Sequence, residues 1–140
     1  MKRVMLYFGL LLMLGVVSAQ TSPPKAARDS MEDFWQRFQT AVVKGDKQTV
    51  AALAGYPVSV PYGIKPIRNK TQFLRNYKTI FFFEANAAKC FPKAKPDFDT
   101  ASPNEFSVAC SIGGPDTPLV YMFTRGRNGW RFTGLDNINE

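Results

Sequence analysis

From Met31 onward the apolar residues fall at Met31, Phe34, Trp35, Phe38, Ala41 and Val42, spacings of three and four that draw one broad stripe along a helix. Ser30 stands where an N-cap belongs, Asp33 three residues on is an acidic variant of the capping box, and Gly45 marks the end. A stripe of this kind packs into a core, which accounts for Phe34, Trp35 and Phe38 without a cofactor. Asp46 caps a second, shorter helix with Val50 and Leu53 inward and Gly55 as its stop. Tyr56 to Pro61 alternates between prolines, as suits a short edge strand. Tyr62-Gly63 reads as a turn, and Ile64 to Ile67 as a second short strand. Asn69 is the next cap, with Gln72 at the third helical position, and Phe73, Leu74, Tyr77, Ile80 and Phe81 mark the buried face of a third helix.

After Phe98 the period changes from helical to alternating. Phe106, Val108, Cys110 and Ile112 share one face of a strand that Gly113-Gly114-Pro115-Asp116 breaks. Leu119 to Arg125 and Trp130 to Leu135 are two further strands. Asn128-Gly129 between them predicts a type I′ turn, which would set Arg127 opposite Trp130 and Arg125 opposite Phe132. Leu119, Tyr121, Phe123, Trp130 and Phe132 then form the face under the helices, with Val120, Met122, Thr133 and Leu135 on the other.

The chain of 140 residues opens with the parts of a secretory signal over residues 1–19: Lys2 and Arg3, an apolar run from Val4 to Val17, and Val17-Ser18-Ala19 before Gln20. The run is shorter than the roughly 20 residues a bilayer span needs, and no cysteine follows the cut to carry a lipid anchor. Residues 20–29, with Pro23-Pro24, form a flexible lead-in, and residues 30–140 make a single domain. The expected location is outside the cytoplasm, periplasmic or secreted, with no stable membrane anchor after cleavage. Lys2 and Arg3 leave with the signal, taking the net charge from +7 to about +5. Lys89, Lys93 and Lys95, and Arg125, Arg127 and Arg131, are groups too short for a nucleic-acid stripe, so no nucleic-acid partner is expected. Cys90 and Cys110 are the only cysteines, and an oxidising compartment makes a disulfide the default reading over a metal pair or a nucleophile, which would want a histidine the chain lacks. Asn69-Lys70-Thr71 is also a glycosylation sequon, but capping already explains Asn69.

Helices first, a short strand pair, a third helix and then antiparallel strands is an α+β order. The sequence resembles the nuclear transport factor 2-like, or cystatin-like, superfamily, and within it small exported bacterial proteins without an assigned activity. Phe34-Trp35-Gln36-Arg37-Phe38 with Ala41-Val42, Lys44-Gly45-Asp46-Lys47, Tyr56-Pro57-Val58-Ser59-Val60, Gln72-Phe73-Leu74-Arg75-Asn76-Tyr77 with Ile80-Phe81, and Gly129-Trp130-Arg131-Phe132-Thr133-Gly134 carry the likeness. It implies a cone: a curved antiparallel sheet wrapped around about three N-terminal and central helices, with a cavity between. Tyr77, Phe81, Glu84, Tyr121 and Phe123 are then the candidate cavity or mouth residues, and Phe82 and Phe83 would cover the mouth. Related folds often pair through their sheets, so a homodimer by that face is an expectation.

Enzymes of that superfamily use a cavity Asp, or a His with Tyr, as acid, base or oxyanion donor. This chain has no histidine, and its candidate acids, Glu84 near Tyr77 and Asp136 at the end of the last strand, match no family motif, so no catalytic residue is assigned. Asp97 and Asp99 alternate along a strand face without the further ligands that calcium or zinc requires, and no metal or other cofactor is expected. Ser59, Ser107 and Ser111 have no histidine to activate them. Arg125, Arg127, Trp130 and Arg131 form a candidate anion patch at the hairpin tip. The reading favoured is an exported, non-catalytic binding or interaction domain for a small apolar ligand, a peptide or a protein, using the cavity or the sheet face. The alternative is a small cavity enzyme, ketosteroid-isomerase-like or dehydratase-like, working with a carboxylate and a tyrosine.

Overall fold

The computed structural model describes residues 30–98, 101–114 and 116–138. The signal and lead-in, Asp99 and Pro115 lie outside these. Helix α1 (Met31–Val43) starts at Ser30, whose hydroxyl accepts from the Asp33 amide at 3.0 Å, and α2 (Lys47–Ala52) starts at Asp46, whose carboxylate accepts from the Thr49 amide at 3.1 Å. Between them Gly45 takes φ +69°, a conformation other residues rarely hold. Strand β1 (Ala54–Ser59) follows at once, so Gly55 lies in the strand and does not stop the helix. A glycine is needed there because a Cβ would stand 2.8 Å from the Cβ of Arg131. The predicted Ile64 to Ile67 strand reduces to a single bridge, Val58 to Ile67. Helix α3 (Lys70–Phe82) is capped by Asn69, which accepts from the Gln72 amide. One turn, α4 (Ala87–Cys90), and the two-residue β2 (Asp97–Phe98) lead into β3 (Glu105–Ser111), β4 (Pro118–Gly126) and β5 (Gly129–Asn137).

The sheet has five strands in the order β1-β5-β4-β3-β2. It is mixed: β2 to β5 are antiparallel, while β1 runs parallel to β5. After α3 and α4 the chain enters β2 on the heading opposite to β1, and the antiparallel run β2 to β5 brings β5 back to the heading of β1 beside it.

The β4–β5 hairpin differs from its sequence reading. Gly126 pairs with Gly129 and Arg125 with Trp130, so the turn residues are Arg127-Asn128. Only Gly129 has positive φ there (+87°), so the turn is not type I′. A bulge between Met122 and Phe123 then changes the count on β5, and Leu135 is buried where strict alternation put it outside.

The inner face of the sheet and the apolar sides of α1 and α3 enclose a core built mainly of aromatic rings. Phe38 of α1 meets Phe123 of β4 at 5.0 Å and Phe132 of β5 at 5.5 Å. Phe81 of α3 stacks on Tyr121 at 5.8 Å, and Phe106 on Phe123 at 4.5 Å. Phe91, just past α4, is fully buried and meets Tyr121 at 4.9 Å and Trp35 at 5.0 Å. The neighbouring Cys90 is bonded to Cys110 of β3, which pins α4 to the sheet.

Candidate functional site

The residues singled out from the sequence separate into an interior group and a group at the end of α3. Tyr77, Phe81, Tyr121 and Phe123 are each no more than 1% exposed. Their rings fill the interior: Tyr77 lies 4.8 Å from Phe81, and Phe81 5.7 Å from Phe132. Each hydroxyl in this layer responds to its setting. The Tyr121 hydroxyl donates to the Ile80 carbonyl at 3.3 Å, and burial, with a smaller contribution from Tyr62, raises its pKa far above the ordinary tyrosine value. Tyr77 is pushed up to about 12 by burial, with the Asp46 carboxylate adding to it, and its hydroxyl has no hydrogen-bond partner among the described residues. These are the responses of neutral hydroxyls in an apolar core.

Glu84 is different. It follows α3 directly, where the helix has ended and the chain bends toward α4, and it is half-buried. Its Oε2 accepts from the Tyr62 hydroxyl at 2.9 Å and from Asn137 Nδ2 at 2.9 Å. Three distant parts of the chain supply this cluster: the turn after β1, the end of α3 and the last residue of β5. Tyr62 reaches it with φ +69°, a left-handed backbone that a tyrosine rarely adopts. The Tyr62 ring also meets Phe83 edge-on at 5.4 Å. Phe83 is 65% exposed, Phe82 beside it in the chain 40%, and Ile138, which follows Asn137, 59%. Large apolar side chains this open, adjacent in sequence to members of the cluster, are a feature of the molecule that a core does not explain.

The sequence paired Glu84 with Tyr77, whereas the structure pairs it with Tyr62. Tyr77 faces the core about two turns earlier, and Glu84 lies beyond the end of α3, where the chain has left the helical path that would have kept the two on one face. Tyr62 and Asn137 carried no periodic signal; Tyr62-Gly63 read as a turn, and the positive φ of both residues is what directs the ring back toward Glu84. Asp136, the other candidate acid, is exposed and lies across from Val120 on the outer face of the sheet.

The arginine group is split between faces. Arg125 sits 6.0 Å over Trp130, at the inner end of the hairpin, but Trp130 is 3% exposed and packs on Phe106. Arg127 is exposed at the turn. Arg131 lies on the outer face against Gly55, its guanidinium donating to the Trp130 carbonyl at 2.7 Å. Arg125 and Trp130 line a groove of about 250 Å3 with Ser30, Met31 and Glu32, so a carboxylate at the start of α1 already shares that space. Among the described residues no group of three or more His, Cys, Asp and Glu is placed to hold a metal ion, and no helix is long and apolar enough to cross a membrane.

No protein-family model matches the sequence, and no curated protein does. Solved structures do match in architecture. A nuclear transport factor 2-like protein of unknown function from Shewanella oneidensis MR-1 is 11% identical with a TM-score of 0.44, over 74% of this chain and 92% of that one. A protein assigned provisionally as a ketosteroid isomerase, from Shewanella frigidimarina NCIMB 400, is 14% identical with a TM-score of 0.44, over 78% and 95%. A domain of unknown function with a cystatin-like fold from Nostoc punctiforme PCC 73102 is 13% identical with a TM-score of 0.42, over 76% and 73%. At these identities and TM-scores the likeness transfers no site, no substrate and no partner.

Proposed function

We propose that the protein is an exported, non-catalytic binding domain that takes its ligand at the α3 end of the cone, beside Glu84. The observation that carries this reading is the contrast between the two ends of α3. The interior that would hold a substrate is occupied by packed rings, with Tyr77, Phe81, Tyr121 and Phe123 all within 1% of complete burial. At the helix end Glu84 is a carboxylate that two donors hold in place, Phe83 meets one of those donors, Tyr62, and Phe82, Phe83 and Ile138 stay open to water. A fixed acceptor within an apolar rim suits a small, mainly apolar ligand or a peptide with one donor group. The disulfide between Cys90 and Cys110, in a chain that begins with the features of a secretory signal, supports export.

The test is native mass spectrometry of protein recovered from its own host, comparing the wild type with Phe83→Ser and Glu84→Gln. A retained mass that both variants lose supports the reading. Equal retention by all three, or an empty wild type that also binds none of a panel of apolar amines and amides, overturns it.

One contact favours a second reading. Tyr62 and Glu84 stand 2.9 Å apart, the carboxylate–tyrosine pair that an isomerase-like proton transfer beside a carbonyl would use. In that case Glu84 is the base and Tyr62 the donor to the developing oxyanion. Deuterium uptake from solvent at the carbon next to a cyclic ketone, present in the wild type and absent in Glu84→Gln, would replace the binding reading with this one.

A further inference from the structure

We propose that the outer face of the sheet docks a basic segment of another protein, one that carries an apolar anchor between lysines or arginines. This surface is separate from the Glu84 cluster and goes beyond the binding reading given for it.

A groove of about 290 Å3 crosses β3, β4 and β5 on that face, with Val120 and Met122 as its apolar floor and Thr124 and Thr133 beside them. Asp97 and Glu105 form its rim, both exposed, and Asp136 stands across from Val120 at the same level of the sheet. The chain as a whole carries 18 basic and 11 acidic residues, so a face led by carboxylates runs against its net charge of +7. Arg131 is the basic residue among the described strand positions of this face, and its guanidinium donates to the Trp130 carbonyl. Neither Asp97, Glu105 nor Asp136 has an ion-pair partner among the described residues.

Size and charge together select the occupant. The volume lies just under the roughly 300 Å3 at which pockets begin to enclose a whole organic molecule, so it suits one or two side chains of a longer chain. Methyl and thioether groups on the floor accept an apolar side chain, and methionine adapts its shape to it. The threonine pair is already closed on itself, Thr124 Oγ1 to Thr133 Oγ1 at 3.0 Å, and asks for no ligand donor. The rim then attracts lysine or arginine on either side of the anchor and repels an acidic partner. A second copy of this chain presenting the same face would bring the same carboxylates together, which disfavours a face-to-face pair.

Fluorescence anisotropy with a labelled peptide that alternates lysine and leucine tests the proposal, with glutamate–leucine and lysine–serine peptides as controls. The lysine–leucine peptide is expected to bind more tightly than either control, and to weaken as salt rises. The double variant Asp97→Asn with Glu105→Gln should reduce its affinity about tenfold, and Ser107→Lys, which sets a cation in the groove opposite Asp97, should reduce it as well. Circular dichroism and the thermal midpoint confirm that each variant is folded. Equal binding of the three peptides, affinity unchanged in both variants, or light scattering that shows a dimer disrupted by Ser107→Lys would overturn the proposal, the last by giving the face to a second copy. Asp97→Asn with Glu105→Gln and Ser107→Lys leave the Glu84 cluster intact, and Glu84→Gln leaves this face intact, so peptide binding lost in the first two variants and kept in the third belongs to the sheet face, while the reverse pattern gives it to the mouth site and overturns the proposal.

Discussion

The buried hydroxyl of Tyr77 has no hydrogen-bond partner among the described residues, so burial there desolvates it without compensation from them. Tyr77→Phe removes the oxygen and keeps the ring against Phe81, and should raise stability by about 1 kcal/mol, read as a higher urea midpoint at unchanged slope. The same residue gives a pH dependence. Its folded pKa of about 12 exceeds the roughly 10 of an unfolded tyrosine, so the unfolded chain ionises first. The stability held by the neutral hydroxyl is complete below about pH 10 and is lost as pH rises through the folded value. Tyr121, raised in the same direction, adds to the loss. Urea midpoints measured upward from about pH 9 should therefore fall in the wild type and fall less steeply in Tyr77→Phe. Gly55 illustrates a different constraint at this scale. Its replacement by alanine sets a Cβ 2.8 Å from the Cβ of Arg131, an atom too near the backbone to swing aside, and should cost about 2 kcal/mol in the same assay.

Elements were legible where one short signal decides them. Ser30, Asp46 and Asn69 each cap the helix that begins just after them, because a side-chain acceptor three residues from an orphan amide satisfies it locally. Ser30→Ala should accordingly cost about 1 kcal/mol. The hairpin was less legible. Asn128-Gly129 carries the strongest local turn signal, yet the strands close one residue earlier, since pairing over the whole length of β4 and β5 outweighs the preference of a dipeptide. Leu135 moved to the core for a related reason: the bulge that lets β5 curve across the helices inserts a residue that alternation does not foresee. Element α4 has few residues of its own and is held through Cys90, so the disulfide is its main tether to β3. Replacing both cysteines by alanine, which frees a loop with a sequence separation of 20, should lower stability by about 3 kcal/mol.

At the scale of the molecule, aromatic volume decides what the interior can hold. Rings from α1, α3, β3, β4 and β5 meet in the centre, while Phe82 and Phe83 at the end of α3 stay exposed, which is why the proposed ligand site is put there and not in the interior. Export is a property of the whole chain and is testable there. Expressed with its leader in a bacterial host, the protein should appear outside the cytoplasm with an intact mass beginning at Gln20 and two hydrogens lighter than its reduced form. Recovery of the full-length mass in the cytoplasm, with free thiols, would contradict the assignment.

The sequence by itself determined α1, α2 and α3, their caps and the three long strands, because periodicity and capping are written in neighbours a few residues apart, and the pairing of Cys90 with Cys110, because they are the only two cysteines; α4 and its Asn86 cap were not foreseen. It also singled out Glu84 as the acid to watch. Only the tertiary structure decided what Glu84 meets. Tyr62 and Asn137 are separated from it by 22 and 53 residues, and nothing local to any of the three encodes their meeting. The parallel setting of β1 and the acidic rim of Asp97 and Glu105 beside the apolar floor are products of chain crossing and strand register in the same way. Such placements depend on how the sheet closes over its aromatic core, a property of the packed whole and of no single stretch of it.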